Sequence, residues 1–309
     1  MEIEQSVWGF TPEGEAVVVY TMRSVSGAAV RLCNIGAAVL SVEVPDREGA
    51  LTDVILGYTR PEDYLSDFAS MGKCVGRYAG LIAFGQSAAD GTPLNLSRND
   101  PRGHLDGGRK GLGGSVWEGR VETNRVVFSL YSPDGEEGYP GGLSVEAVYD
   151  WDDDHNLEIT LLAKGEEPTP VNLTQHLWFD LSGGAGVAGH ELSLAGETAV
   201  PVGATDFGAD GITWRHIARD GRDLADAAEL YSPQSGIYVS VGTTHAAVFA
   251  EQGLRLQGLA AGKAGRIYGR DSGLSLWTGA LPATEAPPAL LSSEDIYEEH
   301  IVFRFGVRL

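Results

Sequence analysis

The sequence predicts an all-β protein built from large packed antiparallel sheets. Three observations carry that prediction. Short segments alternating apolar and polar residues, rich in Val, Ile, Tyr and Phe, recur along the whole chain, as half-buried strands require. Turn-forming clusters separate them, and 42 glycines supply many tight turns. Long stretches of helical period are scarce.

Taken in order, Ala16-Val-Val-Val-Tyr20 and Ala29-Val-Arg-Leu-Cys33 read as strands, followed by the turn Pro45-Asp-Arg-Glu-Gly49. Pro61-Glu-Asp-Tyr-Leu65 reads as one turn of helix with Pro at its first position. After the Asp90-Gly91 turn, strands are expected over Val126–Leu130, Leu143–Tyr149 and Leu157–Leu162. Pro133-Asp-Gly135 and the acidic Asp152-Asp-Asp-His155 form the loops between them. Gly221–Leu230 reads as a short helix, and Ile301–Val307 as the last strand. No internal repeat, low-complexity linker or change of composition marks a boundary, so residues 1–309 are expected to form a single domain.

Of the 309 residues, 43% are hydrophobic, enough for a large core. A net charge of −21 argues against nucleic acid and anionic membrane surfaces as partners, because both need a basic patch. Cys33 and Cys74 fall in apolar stretches and read as buried free thiols in a reducing compartment. The opening Met1-Glu-Ile-Glu-Gln5 lacks the basic and apolar regions of a secretory signal, and no window approaches the ~18–20 apolar residues of a membrane span. The expected location is the cytoplasm. Edge strands of such a sheet protein are compatible with a homodimer.

Five stretches, met in order, carry a family resemblance. The first is Asn34-Ile-Gly-Ala-Ala38 with Val44-Pro-Asp46 and Asp53-Val-Ile-Leu-Gly57. The second is Gly76-Arg77-Tyr-Ala79, then Leu105-Asp-Gly-Gly108 through Trp117. Ser132-Pro-Asp-Gly-Glu-Glu-Gly-Tyr-Pro-Gly141 and Thr169-Pro-Val-Asn-Leu-Thr-Gln-His176-Leu-Trp-Phe-Asp-Leu-Ser-Gly183 follow. The last is Gly262-Lys-Ala-Gly-Arg-Ile-Tyr268, which sets the register into Gly273-Leu-Ser-Leu-Trp277-Thr-Gly279. From near residue 28 onward the chain resembles the aldose 1-epimerase (galactose mutarotase) family. That resemblance implies a β-supersandwich with a concave sugar site and no metal or cofactor. It also implies a small-molecule sugar substrate, whose ring opens when one group removes the anomeric hydroxyl proton and another protonates the ring oxygen.

Carried over residue by residue, His176 matches the family's general acid and Arg77 its substrate arginine. Gln175 stands where the family has an asparagine and keeps an amide there. Asp180 replaces another asparagine, and a carboxylate touching His176 would favour the imidazolium. Trp178, in the same motif, is also assigned to the sugar site. Two positions depart from the pattern. Asp106 occupies the place of the sugar-binding histidine. Either Asp106 is a relocated base, or His104 two residues earlier replaces the lost imidazole, or both are solvated beside a Gly-Gly turn. Trp277 occupies the place of the glutamate base, and an indole has no basic lone pair with which to take a proton. Alternation sets Trp277 opposite Leu274 and Leu276, on the cavity face with Ser275 and Gly279, where it can stack on a sugar or an aromatic ring. The family's aspartate in the 206–241 region has no match, leaving Asp210, Asp220 and Asp223 unassigned.

Three readings follow. The first is an isomerase of cyclic hemiacetals with His176 as acid and Asp106 as base. The second is a repurposed cyclase or isomerase for a non-sugar or glycosylated natural-product intermediate. The third is a non-catalytic carbohydrate-binding protein.

Overall fold

The computed structural model describes residues 2–309. A five-stranded antiparallel meander runs from Glu2–Phe10 to Leu51–Asp53, each strand pairing with the next. A nine-stranded sheet has Asn156–Gly165, Tyr297–Val307 and Ile237–Thr243 near its middle. The two sheets share one core. Leu143, Val145, Ala147, Tyr149 and Trp151 all point inward from Leu143–Trp151, while the residues between them are exposed or half-buried, which is the two-residue period of a half-covered strand. Tyr20 from the meander meets Phe128 from the larger sheet edge-on at 5.4 Å.

A smaller four-stranded sheet carries the features that matter for function. Its order is Leu177–Phe179, Leu274–Gly279, Ala247–Gln252 and Ile212–His216. One face, with Leu274 and Leu276, joins the main core. The other carries Phe249 and Trp277 into a separate aromatic cluster.

The expected strands lie within observed ones, and Pro61–Leu65 forms the expected turn of α-helix. Asp152 caps its hairpin loop by accepting the Asp154 and Asn156 amides at 2.9 and 2.8 Å. The expected helix over Gly221–Leu230 is absent. The chain turns at Gly221 and then forms the strand Ala225–Tyr231. Ala, Glu and Leu favour helix locally, but Ala227 and Leu230 gain burial in the nine-stranded sheet, and packing overrides a weak propensity. Both cysteines are free and buried, and burial pushes both thiols up to about 12. Among the described residues no helix is long and apolar enough to cross a membrane.

Candidate active site

A cavity of about 480 Å³ opens over the aromatic face of the four-stranded sheet. Cross-strand pairing builds its wall. Trp214 pairs with Phe249, and Phe249 with Trp277, so three adjacent strands present three aromatic rings in a row. The Phe249 and Trp277 rings stack face to face, 3.8 Å apart and 4° from parallel. The indole Nε1 of Trp277 is buried without a hydrogen-bond partner, a local cost that the stacking must offset. Gly80 borders this ring at φ +88°, a backbone conformation that favours glycine, and a Cβ there would touch the indole at 3.6 Å.

Two residues further along the Phe249 strand, on the same face, stands Glu251. Its side chain is only 1% exposed. Arg255 holds it through two bonds, Nε to Oε1 at 2.5 Å and Nη2 to Oε2 at 2.8 Å. The remaining arm of Arg255 donates from Nη1 to Asp106 Oδ2 at 2.7 Å. One guanidinium therefore clamps two carboxylates at the cavity wall, using the planar fork that lysine lacks. Asp106 Oδ1 accepts the Gly80 amide at 2.9 Å. Burial raises the Asp106 carboxyl, but Arg255, His176 and the Gly80 amide together hold it below its ordinary range, so it is ionised at neutral pH.

His176 lies behind this pair. Its Nε2 is 3.6 Å from Glu251 Oε2 and 3.5 Å from Arg255 Nη2, and its Nδ1 is 3.5 Å from Ser275 Oγ. The ring is 1% exposed and stands 5.8 Å from the rings of both Trp178 and Trp277. Burial lowers its pKa most strongly; Glu251 pulls it up and Arg255 pushes it down. His176 does not line the cavity itself. Glu251 is the group through which it reaches the wall.

The structure brings His176, Asp106 and Trp277 together, packs Trp178 against His176 away from the cavity, and leaves Arg77, His104, Gln175 and Asp180 elsewhere. Arg77 is turned away from the cavity. Its Nε donates to Ser132 Oγ at 2.8 Å, and its two terminal nitrogens donate to the carbonyls of Ser132, Pro133, Pro140 and Gly141. With its donors spent on the 132–141 loop, it is an internal tie of that loop. His104 is likewise internal: Nε2 is 2.7 Å from Tyr139 Oη and Nδ1 is 2.8 Å from the Ser97 carbonyl. It does not share a face with Asp106, because the strand ends at Leu105 and Asp106 adopts φ +51°, which swings its side chain to the cavity. Gly107 has to follow, since a Cβ there would sit 1.9 Å from the Gly76 carbonyl oxygen.

Gln175 joins Gly72 to Tyr149 inside the core, and Trp178 Nε1 donates to the Ala69 carbonyl at 3.1 Å. Asp180 accepts from the Ser182 and Gly186 amides, so the carboxylate beside His176 is that of Glu251 instead. Asp210 reaches the cavity rim and pairs with Arg102 at 3.2 Å; Asp220 and Asp223 do not line the cavity. Glu251 and Arg255 had one sequence signal, a lone carboxylate closing the apolar run Ala247-Val-Phe-Ala with an arginine four residues on. Among the described residues, no cluster of three or more His, Cys, Asp and Glu side chains is placed to hold a metal ion.

Comparison with known proteins agrees with this architecture. The family model described as aldose 1-epimerase matches residues 18–301. The chain is 31% identical to human galactose mutarotase across 99% of both chains. It is 34% identical to the aldose 1-epimerase of Escherichia coli over 203 residues, 65% of this chain and 59% of that one. Among solved structures, an aldose epimerase homologue from C. elegans superposes with a TM-score of 0.82 at 24% identity, covering 94% of this chain and 98% of the other. Galactose 1-epimerase from Lactobacillus acidophilus gives 0.79 at 21% identity, covering 100% and 99%.

Proposed function

We propose that this chain, which belongs to the aldose 1-epimerase family, is an isomerase that opens and recloses a cyclic hemiacetal by acid/base chemistry with a rebuilt set of groups. The observation that carries this reading is the clamp of Asp106 and Glu251 by Arg255, with His176 3.6 Å behind Glu251. Two proton-handling groups on one cavity wall are what ring opening needs.

In this reading Asp106 removes the proton from the anomeric hydroxyl. The electron pair released forms the C1 carbonyl as the bond from C1 to the ring oxygen breaks. That oxygen takes the proton held between His176 and Glu251, with Glu251 delivering it at the wall. Rotation about the bond to C1 and the reverse steps close the other anomer, and both protons return. Arg255 keeps the two carboxylates apart and holds Asp106 charged while the substrate is neutral.

The test is interconversion of freshly dissolved α-D-galactose and α-D-glucose followed by NMR, against His176→Ala and heat-killed protein. Acceleration that disappears in His176→Ala is expected; a rate equal to buffer overturns the reading. The pH dependence has a definite sign. If the His176–Glu251 pair must carry a proton, the rate falls as pH rises through the histidine's pKa, which burial sets below 6.5. It falls again in acid, where the Asp106 carboxylate, held below its ordinary range, protonates. A pH–kcat/KM profile with its alkaline limb centred below 6.5 is expected, and a rate that climbs through that range would make His176 a base.

The row Trp214–Phe249–Trp277 favours a second feature, a substrate carrying a flat apolar group such as a glycosylated natural-product intermediate. Stacking on such a wall contributes ~0.5–1.5 kcal/mol beyond burial. Trp277→Leu is therefore expected to weaken binding of 4-nitrophenyl galactoside by about threefold to tenfold relative to galactose, read by calorimetry. An unchanged ratio would leave the aromatic wall without a role in recognition.

A further inference from the structure

Beside the candidate active site lies a second cavity of about 640 Å³, and the two share Leu105 and Asp106 in their walls. The chain carries a net charge of −21, yet Lys73, Arg98, Arg109 and Lys110 converge on this cavity, against only two carboxylates, Asp67 and Asp106. Both carboxylates are already engaged. Asp67 lies 3.5 Å from Lys73 Nζ and accepts the amides of Ala69 and Met71 at 2.8 and 2.6 Å. Asp106 is held by Arg255.

Arg98, Arg109 and Lys110 have no carboxylate within ion-pair reach among the described residues. Two of these three side chains are nonetheless held in place. The Arg98 guanidinium lies over the Phe84 ring at 4.3 Å, and Arg109 reaches the Arg98 carbonyl at 3.4 and 3.5 Å. A further carboxylate, Glu137, accepts the Lys110 amide at 3.0 Å. The exposed cations Arg98, Arg109 and Lys110 together with Lys73 still outnumber the carboxylates and make a local positive field that attracts a small anion.

We propose that this second cavity receives an anionic group, a phosphate or carboxylate, borne by the sugar whose ring occupies the first. The inference rests on the reading that the first cavity holds a cyclic hemiacetal. In this proposal one ligand reaches past Asp106, the shared wall residue, with its ring against Trp277 and its anion among Arg98, Arg109 and Lys110. Such a subsite would reject neutral hexoses in favour of acidic ones without any change in the proton-transfer groups.

Binding of D-galactose, D-galactose 6-phosphate, D-galacturonate and N-acetylneuraminate, measured by calorimetry at low salt and again at ~0.5 M salt, tests this. At least one anionic sugar is expected to bind about tenfold or more tightly than galactose, with the preference shrinking at high salt. The arms separate phosphate from carboxylate. The triple variant Arg98→Gln/Arg109→Gln/Lys110→Gln should abolish the preference. Arg23→Gln/Arg120→Gln/Arg125→Gln, equal in charge change and lining neither cavity, should keep it.

Equal affinity for neutral and anionic sugars, no binding of any anion, or a preference that survives the first triple variant overturns the proposal. If anions bind and the first triple variant loses them while no sugar is interconverted, the anion subsite stands and the ring-opening reading falls.

Discussion

Asp106→Asn is expected to lower the rate of anomer interconversion by ~10²–10⁴, the usual contribution of a positioned general base. The substitution removes the proton acceptor and also the Asp106 arm of the Arg255 clamp, since the amide nitrogen cannot accept from Arg255 Nη1. Asn keeps an oxygen for the Gly80 amide, now at 2.9 Å, and tolerates the positive φ of residue 106 as well as aspartate does. The loss should fall mainly on kcat, because the size of the side chain and its bond to the Gly80 amide are kept. Glu251→Gln provides the comparison. If Glu251 hands on a proton and Asp106 takes one, each variant is slow, and the double variant is little slower than either, as for groups acting as a unit. Full activity in Asp106→Asn would take this residue out of the chemistry and leave Glu251 as the base. His104→Gln should have no such effect on kcat, since His104 is bound to Tyr139 and Ser97, outside the cavity.

Much of the fold was legible because strands repeat a local signal. The alternation in Leu143–Trp151 appears in the structure as alternating burial, and the opposition of Leu276 to Trp277 follows from the same two-residue period. What failed was local reasoning where tertiary contacts decide. The 225–231 segment has helix-forming residues and is a strand because its neighbours in the nine-stranded sheet bury it. Arg77 and Asp106 lie in motifs that resemble sugar-binding ones. A motif does not say whether a guanidinium turns toward the cavity or into the 132–141 loop, nor that Asp106 itself adopts φ +51° and turns its side chain off the His104 face. Glu251 and Arg255 escaped notice for a related reason. Each is unremarkable in its own segment, and they become a site only when folding sets Asp106 within 2.7 Å of the same arginine, 149 residues away.

Arg255→Met is expected to destabilise the protein by ~3–5 kcal/mol at neutral pH, because it strands a buried carboxylate rather than merely deleting an ion pair. Glu251 is 1% exposed and Asp106 11%, and neither can turn to water without unpacking the wall. In a chain of this size the fall in Tm should be on the order of 10 °C. Acidification should narrow the gap. An unpaired buried carboxylate has its pKa raised above the unfolded value, so its penalty is present at high pH and disappears as pH falls and it is protonated. In the native protein the Asp106 carboxyl is instead held below its ordinary range, so its contribution persists at neutral pH and is lost only as pH drops through that lowered value. Melts at pH 7 and pH 4.5 should show the difference shrinking, and adding Glu251→Leu to Arg255→Met should recover part of the loss at pH 7. An equal deficit at both pH values would mean that Arg255 acts by packing its stem and not by its charge. The same variant bears on the chemistry. Burial lowers the His176 pKa most, and Arg255 lowers it further while Glu251 and Asp106 raise it, so removing the cation moves that pKa up from its native value. The alkaline limb of the pH–rate profile should therefore move to higher pH in Arg255→Met, a displacement that loss of stability alone would not produce.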